Sequence, residues 1–291
     1  MSGVGLEGSV DPRGDVPRRP RSRLGIGEGG GKAILIATIS TVVVFAAIAA
    51  VVVNAPGWPA FREKFLNVDV FVASLPLILG AFLVNVRLFL IAEVLILVLA
   101  LAVALLRGLP GPVFFPVRLL STIYVDLFRA LPGVLVIFIL GLGIPALRIE
   151  GVPNDPFFWG VVALTLLYSA YVSEVYRAGI ESVHPSQSAA ARSLGLSGWQ
   201  TTRHVVIPQA VRRVIPPLLN DFIGLQKDTA LVGTLGVVEA FNQAQIDTNA
   251  TFNYTPYLCT ALLFVLLTIP MARLTDWLIA RDRRRQLAGA A

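Results

Sequence analysis

The sequence predicts an all-α integral membrane protein with several bilayer crossings, and three observations indicate this fold class. Of its 291 residues, 55% are hydrophobic and only 14% are charged, and the mean hydropathy is +0.74. A soluble domain carries about 25% charged residues. The apolar residues gather in uncharged runs, several of which approach the roughly 20 residues that a helix needs to cross the hydrocarbon layer. Lys and Arg are distributed very unevenly between the connections on the two sides.

This composition excludes a soluble enzyme, a disordered chain and a disulfide scaffold. The single cysteine, Cys259, lies inside an apolar run and has no partner within the chain for a disulfide. The net charge of +6 and the pI near 9.9 would also suit a nucleic-acid-binding protein. Arginines that flank apolar helices instead indicate orientation in a membrane, so we expect no nucleic acid partner.

The predicted elements begin with a disordered basic tail at residues 1–32, because a segment rich in Gly, Pro and Arg cannot bury enough apolar area to offset chain ordering. An accessory transmembrane helix at 33–53 and an amphipathic connector follow the tail. A second basic tail is predicted at 281–291. The six predicted membrane segments are 33–53, 75–106, 117–143, 157–177, 215–238 and 256–278.

Two of these segments carry signals for bends. The second is longer than one straight crossing requires and contains Pro76, so we expect it to begin along the interface and bend inward. The third contains Pro132, which breaks its backbone hydrogen bonding. The fifth has the weakest signal, because Asp221, Lys227 and Asp228 interrupt its apolar run.

The distribution of Lys and Arg predicts the orientation. With six crossings and a cytoplasmic N-terminus, eighteen of the 24 basic residues lie in cytoplasmic segments and three lie outside. Cytoplasmic loops carry an excess of Lys and Arg, so we expect both termini in the cytoplasm.

The connection between the fourth and fifth segments, residues 181–208, has the local chemistry of two short helices joined by a turn. Pro185 suits a first helical position, and Gly195 suits the left-handed residue that ends a helix. Ser197 and Gln200 have the spacing of a capping box, and Pro208 marks the expected exit toward the next membrane segment. Small apolar residues make this hairpin either a docking surface for another protein or a structure that packs only on its own helix ends.

The spacing Ala189-Ala190-Ala191-x3-Gly195-x9-Val205-x-Ile207-Pro208 resembles the EAA loop of ABC-importer permeases, and its surroundings resemble the polar amino acid permease family. Three further elements are similar to motifs of that family. They are Tyr124 to Pro132, Ser169 to Ile180, and Lys227 to Leu231 with Gly236 to Glu239 and Gln243 to Gln245.

The resemblance implies a type I importer permease: a core of five transmembrane helices within residues 74–280, with one extra N-terminal helix outside it. It also implies a multi-pass protein of the bacterial cytoplasmic membrane that moves a polar amino acid by alternating access. Its implied partners are a cytoplasmic ABC ATPase, an extracytoplasmic substrate-binding protein, and a second permease copy or a sister permease. ATP is then used by the partner, and this chain binds no cofactor.

Within the hairpin, the resemblance assigns contact with the ATPase to the motif positions. These are Ala189, Ala190, Ala191, Gly195, Leu196, Ile207 and Pro208. The leading Glu of the family motif is Ala189 here, so any salt bridge that this Glu makes to the ATPase is absent or supplied elsewhere.

Charges inside the membrane segments are candidates for the substrate pathway, because a Lys, Arg or Asp at mid-membrane costs about 2.5–3.5 kcal/mol unless it faces a partner or water. The candidates are Arg87, Glu93, Arg129, Glu174, Lys227 and Asp228. Spacing of i,i+3 predicts pairing of Asp126 with Arg129 and of Glu174 with Arg177. Each pair has an alternative as a structural ion pair, and Arg87 and Glu93 lack an obvious local partner.

No residues with catalytic or metal-ligating spacing appear in the sequence. His184 and His204 both lie in the hairpin, 20 positions apart, and Cys259 has no partner for metal or nucleophilic chemistry. We therefore expect a transport subunit rather than an enzyme. A secondary transporter is the main alternative, but such folds usually contain internal repeats of several helices, and the two halves of this sequence show none. The substrate amino acid and the identity of the second permease chain stay open.

Overall fold

The computed structural model describes residues 30–288, and within that range the protein is helical and contains no strand. The first predicted tail therefore lies almost wholly outside the described residues. The chain divides into two units, Met1–Pro59 and Ala60–Ala291. Helix α1, Gly30–Val53, belongs to the first unit; its apolar run matches the predicted accessory helix.

Helix α2, Trp58–Phe65, precedes the long helix α3, Val68–Arg107. The 40 residues of α3 give a length of about 60 Å at 1.5 Å per residue. The Asn67 side chain caps its N-terminus by accepting a hydrogen bond from the Val70 backbone N–H at 3.1 Å. The helix runs through Pro76 and begins seven residues before the predicted segment.

The third predicted segment is two helices and not one straight crossing. Helix α4, Phe115–Ala130, is followed by α5, Gly133–Phe138, with a bend of 111° between the two halves. Pro132 disfavours the helical conformation for the residue before it, and Leu131 accordingly has an extended backbone at φ −87° and ψ 139°. Beyond α5, a π-helical turn at Ile139–Gly143 leads to the short α6, Ile144–Ala146.

Helix α7, Pro156–Glu181, contains the fourth predicted segment, and Asp155 caps its first turn. Helix α8, Pro185–Ser193, and helix α9, Gly198–Thr201, form the hairpin. A π-helical turn at Thr202–Val206 then joins α9 directly to α10, Ile207–Asp228. Pro208, the expected exit toward the next membrane segment, lies in the first turn of α10, the helix that contains the start of that segment, and its missing N–H is tolerated there.

The fifth predicted segment, 215–238, is also corrected. Helix α10 ends at Asp228, a 3₁₀ segment occupies Thr229–Leu235, and helix α11, Ala240–Thr251, follows. The sequence did not predict α11, since it is short and polar. Helix α12, Thr255–Ala288, contains the sixth segment and continues through most of the predicted C-terminal tail, of which residues 289–291 lie outside the described part.

Four described stretches are long and apolar enough to cross a membrane, or five if the bent α4–α6 segment counts as one. Helix α10 does not meet that criterion, so the predicted five-plus-one count stays a prediction. The four stretches are Ala33–Val53, Trp58–Arg107, Pro156–Glu181 and Thr255–Arg281.

The main core lies between α3 and α7. Leu88, Ile96 and Leu164 are fully or almost fully buried in it, and Leu225 of α10 joins the same cluster. At the opposite end of α3, Asn67 and Lys64 are tied to the start of α12, where the Asn67 N–H donates to Thr255 Oγ1 at 3.2 Å. The shared core holds α7 and α10, the two helices that flank the hairpin, against the long helix α3. The contacts of Asn67 and Lys64 attach α12 to the other end of α3.

Candidate functional site

The hairpin is built from the local signals that its sequence carries. Helix α8 begins at Pro185, and its His184 cap accepts a hydrogen bond from the Ser186 N–H at 3.2 Å. Gly195 has φ +86°, a conformation that glycine adopts without steric cost. Ser197 Oγ accepts from the Gln200 N–H at 3.3 Å, and Gln200 Oε1 accepts from the Ser197 N–H at 2.8 Å. The predicted turn and capping box are therefore confirmed.

The outer surface of the hairpin is apolar at its tip. Leu194 is 83% exposed and Trp199 is 67% exposed, whereas Ala191 is only 5% exposed and faces inward. Most of the predicted contact residues are exposed, namely Ala189, Ala190, Gly195, Ile207 and Pro208, and Leu196 is half-buried. The sequence motif did not single out Trp199, although a large aromatic side chain in a short polar helix was a signal for it.

The base of the hairpin is locked between α7 and α10 by close packing. A Cβ built on Gly179 would lie 2.0 Å from Val214 Cγ2, so only glycine fits this contact. The guanidinium of Arg213 also donates a hydrogen bond to the Ser182 carbonyl oxygen at the end of α7. Because both helices that flank the hairpin are joined here, a displacement of the hairpin is transmitted to both.

Glu174 of α7 is the centre of an ion cluster near this base. It pairs with Arg107 of α3 and with Arg177, whose Nη2 lies 2.7 Å from Glu174 Oε2. Arg177 also contacts Glu181 at 2.5 Å. The predicted Glu174–Arg177 pair is therefore present, but Glu174 in addition links α7 to α3.

The predicted pairing of Asp126 with Arg129 is wrong: no ion pair joins them in the described chain. Arg129 lies at the end of α4, just before the bend, and its Nη1 is 4.0 Å from Glu174 Oε2. Its guanidinium also stands over the Tyr171 ring, 5.8 Å from the centroid. The packing of α4 on α7 thus places the Arg129 guanidinium against Glu174 and Tyr171 rather than along its own helix.

An open cavity of about 450 Å³ lies between α4, α7 and α10 beside the ion cluster. Two of the predicted pathway residues, Arg129 and Glu174, line it. Asp221 lines it as well, and its buried Oδ2 has no hydrogen-bond partner among residues 30–288. The other lining residues are Tyr171, Val175, Ala178, Gly179, Ser182, Arg213 and Pro217.

The remaining predicted pathway residues lie outside this cavity. Arg87 of α3 is exposed, and Glu93, two turns further along the same helix, is half-buried. Asp228 accepts a hydrogen bond from the Tyr168 hydroxyl of α7 at 2.7 Å. Lys227 is exposed. The assignment of these four residues to the pathway stays a prediction.

A second polar cluster, which the sequence analysis missed, joins α3 to the 3₁₀ segment and α11. Asn85 donates to Glu239 Oε2 at 2.9 Å and to Thr229 Oγ1 at 3.1 Å, and accepts from the Ala240 N–H at 3.0 Å. Glu239 is fully buried and caps α11 by accepting from the backbone N–H groups of residues 241 and 242. A polar Asn in an otherwise apolar stretch of α3 was the available signal.

No cluster of His, Cys, Asp and Glu suited to a metal ion occurs in the described part of the chain. His184 is used as the cap of α8, and Cys259 is buried in a small apolar cluster. The described side chains thus form a hairpin, an ion cluster and a charged cavity on a helical membrane scaffold. This arrangement is that of a transport subunit.

The family follows from comparison with known sequences. The model of the binding-protein-dependent transport system inner membrane component matches residues 108–284, and the chain belongs to this family. It is similar to the probable glutamine ABC transporter permease protein GlnM of Bacillus subtilis (strain 168). That relative is 38% identical over 176 residues, which cover 60% of this chain and 79% of GlnM.

Solved structures have the same architecture. An amino acid ABC transporter crystallised with histidines has a TM-score of 0.66 and 30% identity, covering 72% of this chain and 96% of that chain. The inward facing MetNI methionine ABC transporter has a TM-score of 0.57 at 17% identity, covering 70% and 95%, a likeness that shows the fold alone.

Members of this family are permease subunits of ABC importers, in which a separate ATPase hydrolyses ATP. The chain is therefore a multi-pass transport subunit of the cytoplasmic membrane and not an enzyme. Family membership also implies two kinds of partner, an ATPase and a substrate-binding protein.

Proposed function

We propose that this chain carries a polar amino acid across the membrane through the cavity between α4, α7 and α10. The observation that carries the proposal is that Arg129 and Asp221, two side chains of opposite charge, line the same cavity, and that the buried Asp221 Oδ2 has no hydrogen-bond partner among residues 30–288. A volume of about 450 Å³ falls within the range of about 300–1,000 Å³ that is usual for small-molecule sites. The names of the similar proteins, a glutamine transporter permease and an amino acid transporter, support the substrate class.

The proposed recognition follows from the charges of a zwitterion. Glu174 is already neutralised by Arg107 and Arg177, so it is a poor partner for the substrate ammonium group. Asp221 has an oxygen without a partner among residues 30–288 and is the proposed ammonium acceptor. Arg129, whose side chain is 45% exposed and whose nearest carboxylate is 4.0 Å away, is the proposed partner of the substrate carboxylate.

The other charged candidates, Arg87, Glu93, Lys227 and Asp228, are proposed to line the path above this cavity. The alternative is that each charge stabilises packing between bent helices. Asp228, which already has Tyr168 as its partner, fits that alternative best.

The hairpin at 181–208 is proposed to dock on the partner ATPase through Ala189, Ala190 and Gly195, with Leu194 and Trp199 as its apolar tip. In this proposal, closure of the ATPase on ATP moves the hairpin, and the contact of Gly179 with Val214 transmits the movement to α7 and α10. The cavity then alternates between the two sides of the membrane. The chain itself binds no cofactor.

We further propose that both termini are cytoplasmic. In this orientation eighteen basic residues lie on the cytoplasmic side and three lie on the outer side. The permease domain then comprises residues 74–280. It pairs with a second copy or with a sister permease, and the helix at 33–53 remains outside the core. The substrate-binding protein delivers the amino acid on the side of Asn67 and Thr255.

Asp221→Asn tests the proposed site. Proteoliposomes hold the complete importer with trapped ATP, and the binding protein and radiolabelled amino acids of each charge class are added outside. We expect uptake to fall about tenfold or more, since a hydrogen bond between charged groups contributes about 1.5–3 kcal/mol. The matched control is Asp126→Asn, which removes an exposed carboxylate that has no ion-pair partner among residues 30–288.

Two outcomes would contradict the proposal. Equal loss of uptake in both variants would mean that Asp221 acts only through general electrostatics. Uptake by the unaltered protein that continues without ATP and follows an ion gradient would instead identify a secondary transporter.

A further inference from the structure

A second open cavity, of about 380 Å³, lies on the other side of the ion cluster, between the end of α3, the start of α4 and the end of α7. The mechanism proposed above does not use it. Its lining residues are Arg107, Phe115, Arg118, Leu119, Thr122 and Arg177.

The charge of this cavity is positive. Three guanidinium groups line it, and the carboxylates that contact them are Glu174, which pairs with Arg107 and Arg177, and Glu181, which pairs with Arg177. Arg118 forms no ion pair in the described chain. The positive charge of Arg118 is therefore uncompensated by any carboxylate of the described chain, whereas the charges of Arg107 and Arg177 are partly neutralised by Glu174 and Glu181.

Hydrogen bonds to the loop that precedes α4 fix the orientation of the Arg118 side chain. Its Nη1 donates to the Leu109 carbonyl oxygen at 2.7 Å and to the Gly111 carbonyl oxygen at 2.8 Å. Gly111 has φ +86°, which allows the loop to turn toward the arginine. A guanidinium carries five N–H donors, so its remaining donors are available in a fixed orientation.

The rim of the cavity is apolar and exposed. Phe115 and Leu119, which line the cavity, are exposed, and so are their chain neighbours Val113, Phe114 and Leu120. A helix that combines an apolar face with arginines lies in the membrane interface, where the apolar face contacts acyl chains. The rim therefore suits a ligand that has both a negative head and a hydrocarbon tail.

We propose that this cavity binds the phosphate of an anionic phospholipid headgroup in the cytoplasmic leaflet. Arg118 donates to the phosphate oxygens, with Arg107 and Arg177 behind it, and the acyl chains lie along Phe115 and Leu120. Basic pockets between transmembrane helices on the cytoplasmic side bind such headgroups. The leaflet rests on the orientation given in the proposed function, because the cavity lies at the end of α7 that leads into the hairpin.

A free phosphate is the other source of the same chemistry. It would be bound by the guanidinium groups alone and would gain nothing from the exposed Phe115 and Leu120 beside them. The lipid accounts for both the charge and the apolar rim.

The test is native mass spectrometry of the complete importer, released from nanodiscs made of phosphatidylcholine with or without phosphatidylglycerol. We expect retained phosphatidylglycerol, and about fivefold weaker retention in Arg118→Gln, the fold-change that corresponds to ~1 kcal/mol for one basic residue at the surface. Arg118→Lys should retain most of the binding. Arg62→Gln in α2 is the matched control, since it removes one exposed charge at the other end of α3.

Several results would overturn the proposal. The first is equal retention of phosphatidylglycerol and phosphatidylcholine by the unaltered protein. The second is an equal loss of retained phosphatidylglycerol in Arg118→Gln and Arg62→Gln. The third is displacement of the lipid by inorganic phosphate at a comparable concentration. The comparison of lipids needs only the unaltered protein, so a folding defect in a variant leaves it valid. If the complex retains the anionic lipid but transports no amino acid, only the proposed function is refuted. If it transports an amino acid normally but shows no preference between the two lipids, only this inference is refuted.

Discussion

The contact of Gly179 with Val214 provides the sharpest test of how hairpin movement reaches the membrane helices. Gly179→Ala adds a Cβ that would lie 2.0 Å from Val214 Cγ2 and 3.4 Å from the Ala210 carbonyl oxygen. Carbon atoms pack at about 3.5–4.0 Å, so α7 and α10 must separate by roughly 1.5–2 Å at this point. Overpacking of this kind costs about 1–3 kcal/mol.

A second substitution makes the prediction quantitative. Val214→Ala alone removes two buried carbon groups and should cost about 1.6 kcal/mol at ~0.8 kcal/mol each. In the double variant the new methyl group of residue 179 occupies the space that Val214 vacates. We therefore expect the double variant to be more stable than the sum of the single effects by about 1 kcal/mol or more.

The assay measures thermal unfolding of the purified importer together with the number of substrate molecules transported per ATP hydrolysed. Gly179→Ala should lower both quantities, and the double variant should recover both. Gly80→Ala is the control, because a Cβ there meets nothing within 4 Å. The reasoning would be refuted if the losses of stability in the double variant were the sum of those in the two single variants. It would also be refuted if Gly179→Ala had the same Tm and the same transport per ATP as Gly80→Ala.

Two further predictions concern polar contacts. Asn85→Leu removes the side-chain donor to the fully buried Glu239 and should destabilise the importer by about 1.5–3 kcal/mol, measured as a lower Tm. The control, Asn249→Leu, alters an exposed position of α11. Equal Tm values for the two variants would contradict the prediction. Ser197→Ala removes the cap of α9 and should cost ~1 kcal/mol, measured as about fivefold faster hydrogen exchange of residues 198–201. Ser193→Ala, which removes a hydroxyl with no capping role, should leave that exchange unchanged.

The hairpin shows how far local sequence reasoning reaches. Its helix start at Pro185, its left-handed Gly195 and the Ser197–Gln200 capping box all depend on residues within a few positions of each other, and all are confirmed. Pro208 lies in the first turn of α10, the helix that leads to the next membrane segment, but the π-helical turn that joins α9 to α10 without a break was not predicted.

The charges show where the same reasoning fails. Spacing of i,i+3 correctly predicted the pair of Glu174 and Arg177, which lie within one straight helix. The same spacing failed for Asp126 and Arg129, although both lie in α4, because α4 packs on α7 and the Arg129 guanidinium contacts Glu174 and Tyr171 of that helix instead. Sequence predicted the helix break at Pro132, but not the direction in which the chain continues.

The sequence alone determined the membrane-helical class, most helix positions and the hairpin, because hydropathy, capping and proline act over a few residues. Only the tertiary structure decided which charges meet: Glu174 with Arg107 across 67 positions, and Asn85 with Glu239 across 154. It likewise decided that Asp221 lines a cavity together with Arg129 and that its buried Oδ2 has no hydrogen-bond partner among residues 30–288. The physical reason is that a buried polar group takes whichever partner the packing of distant helices brings within hydrogen-bond distance, and no local pattern contains that packing.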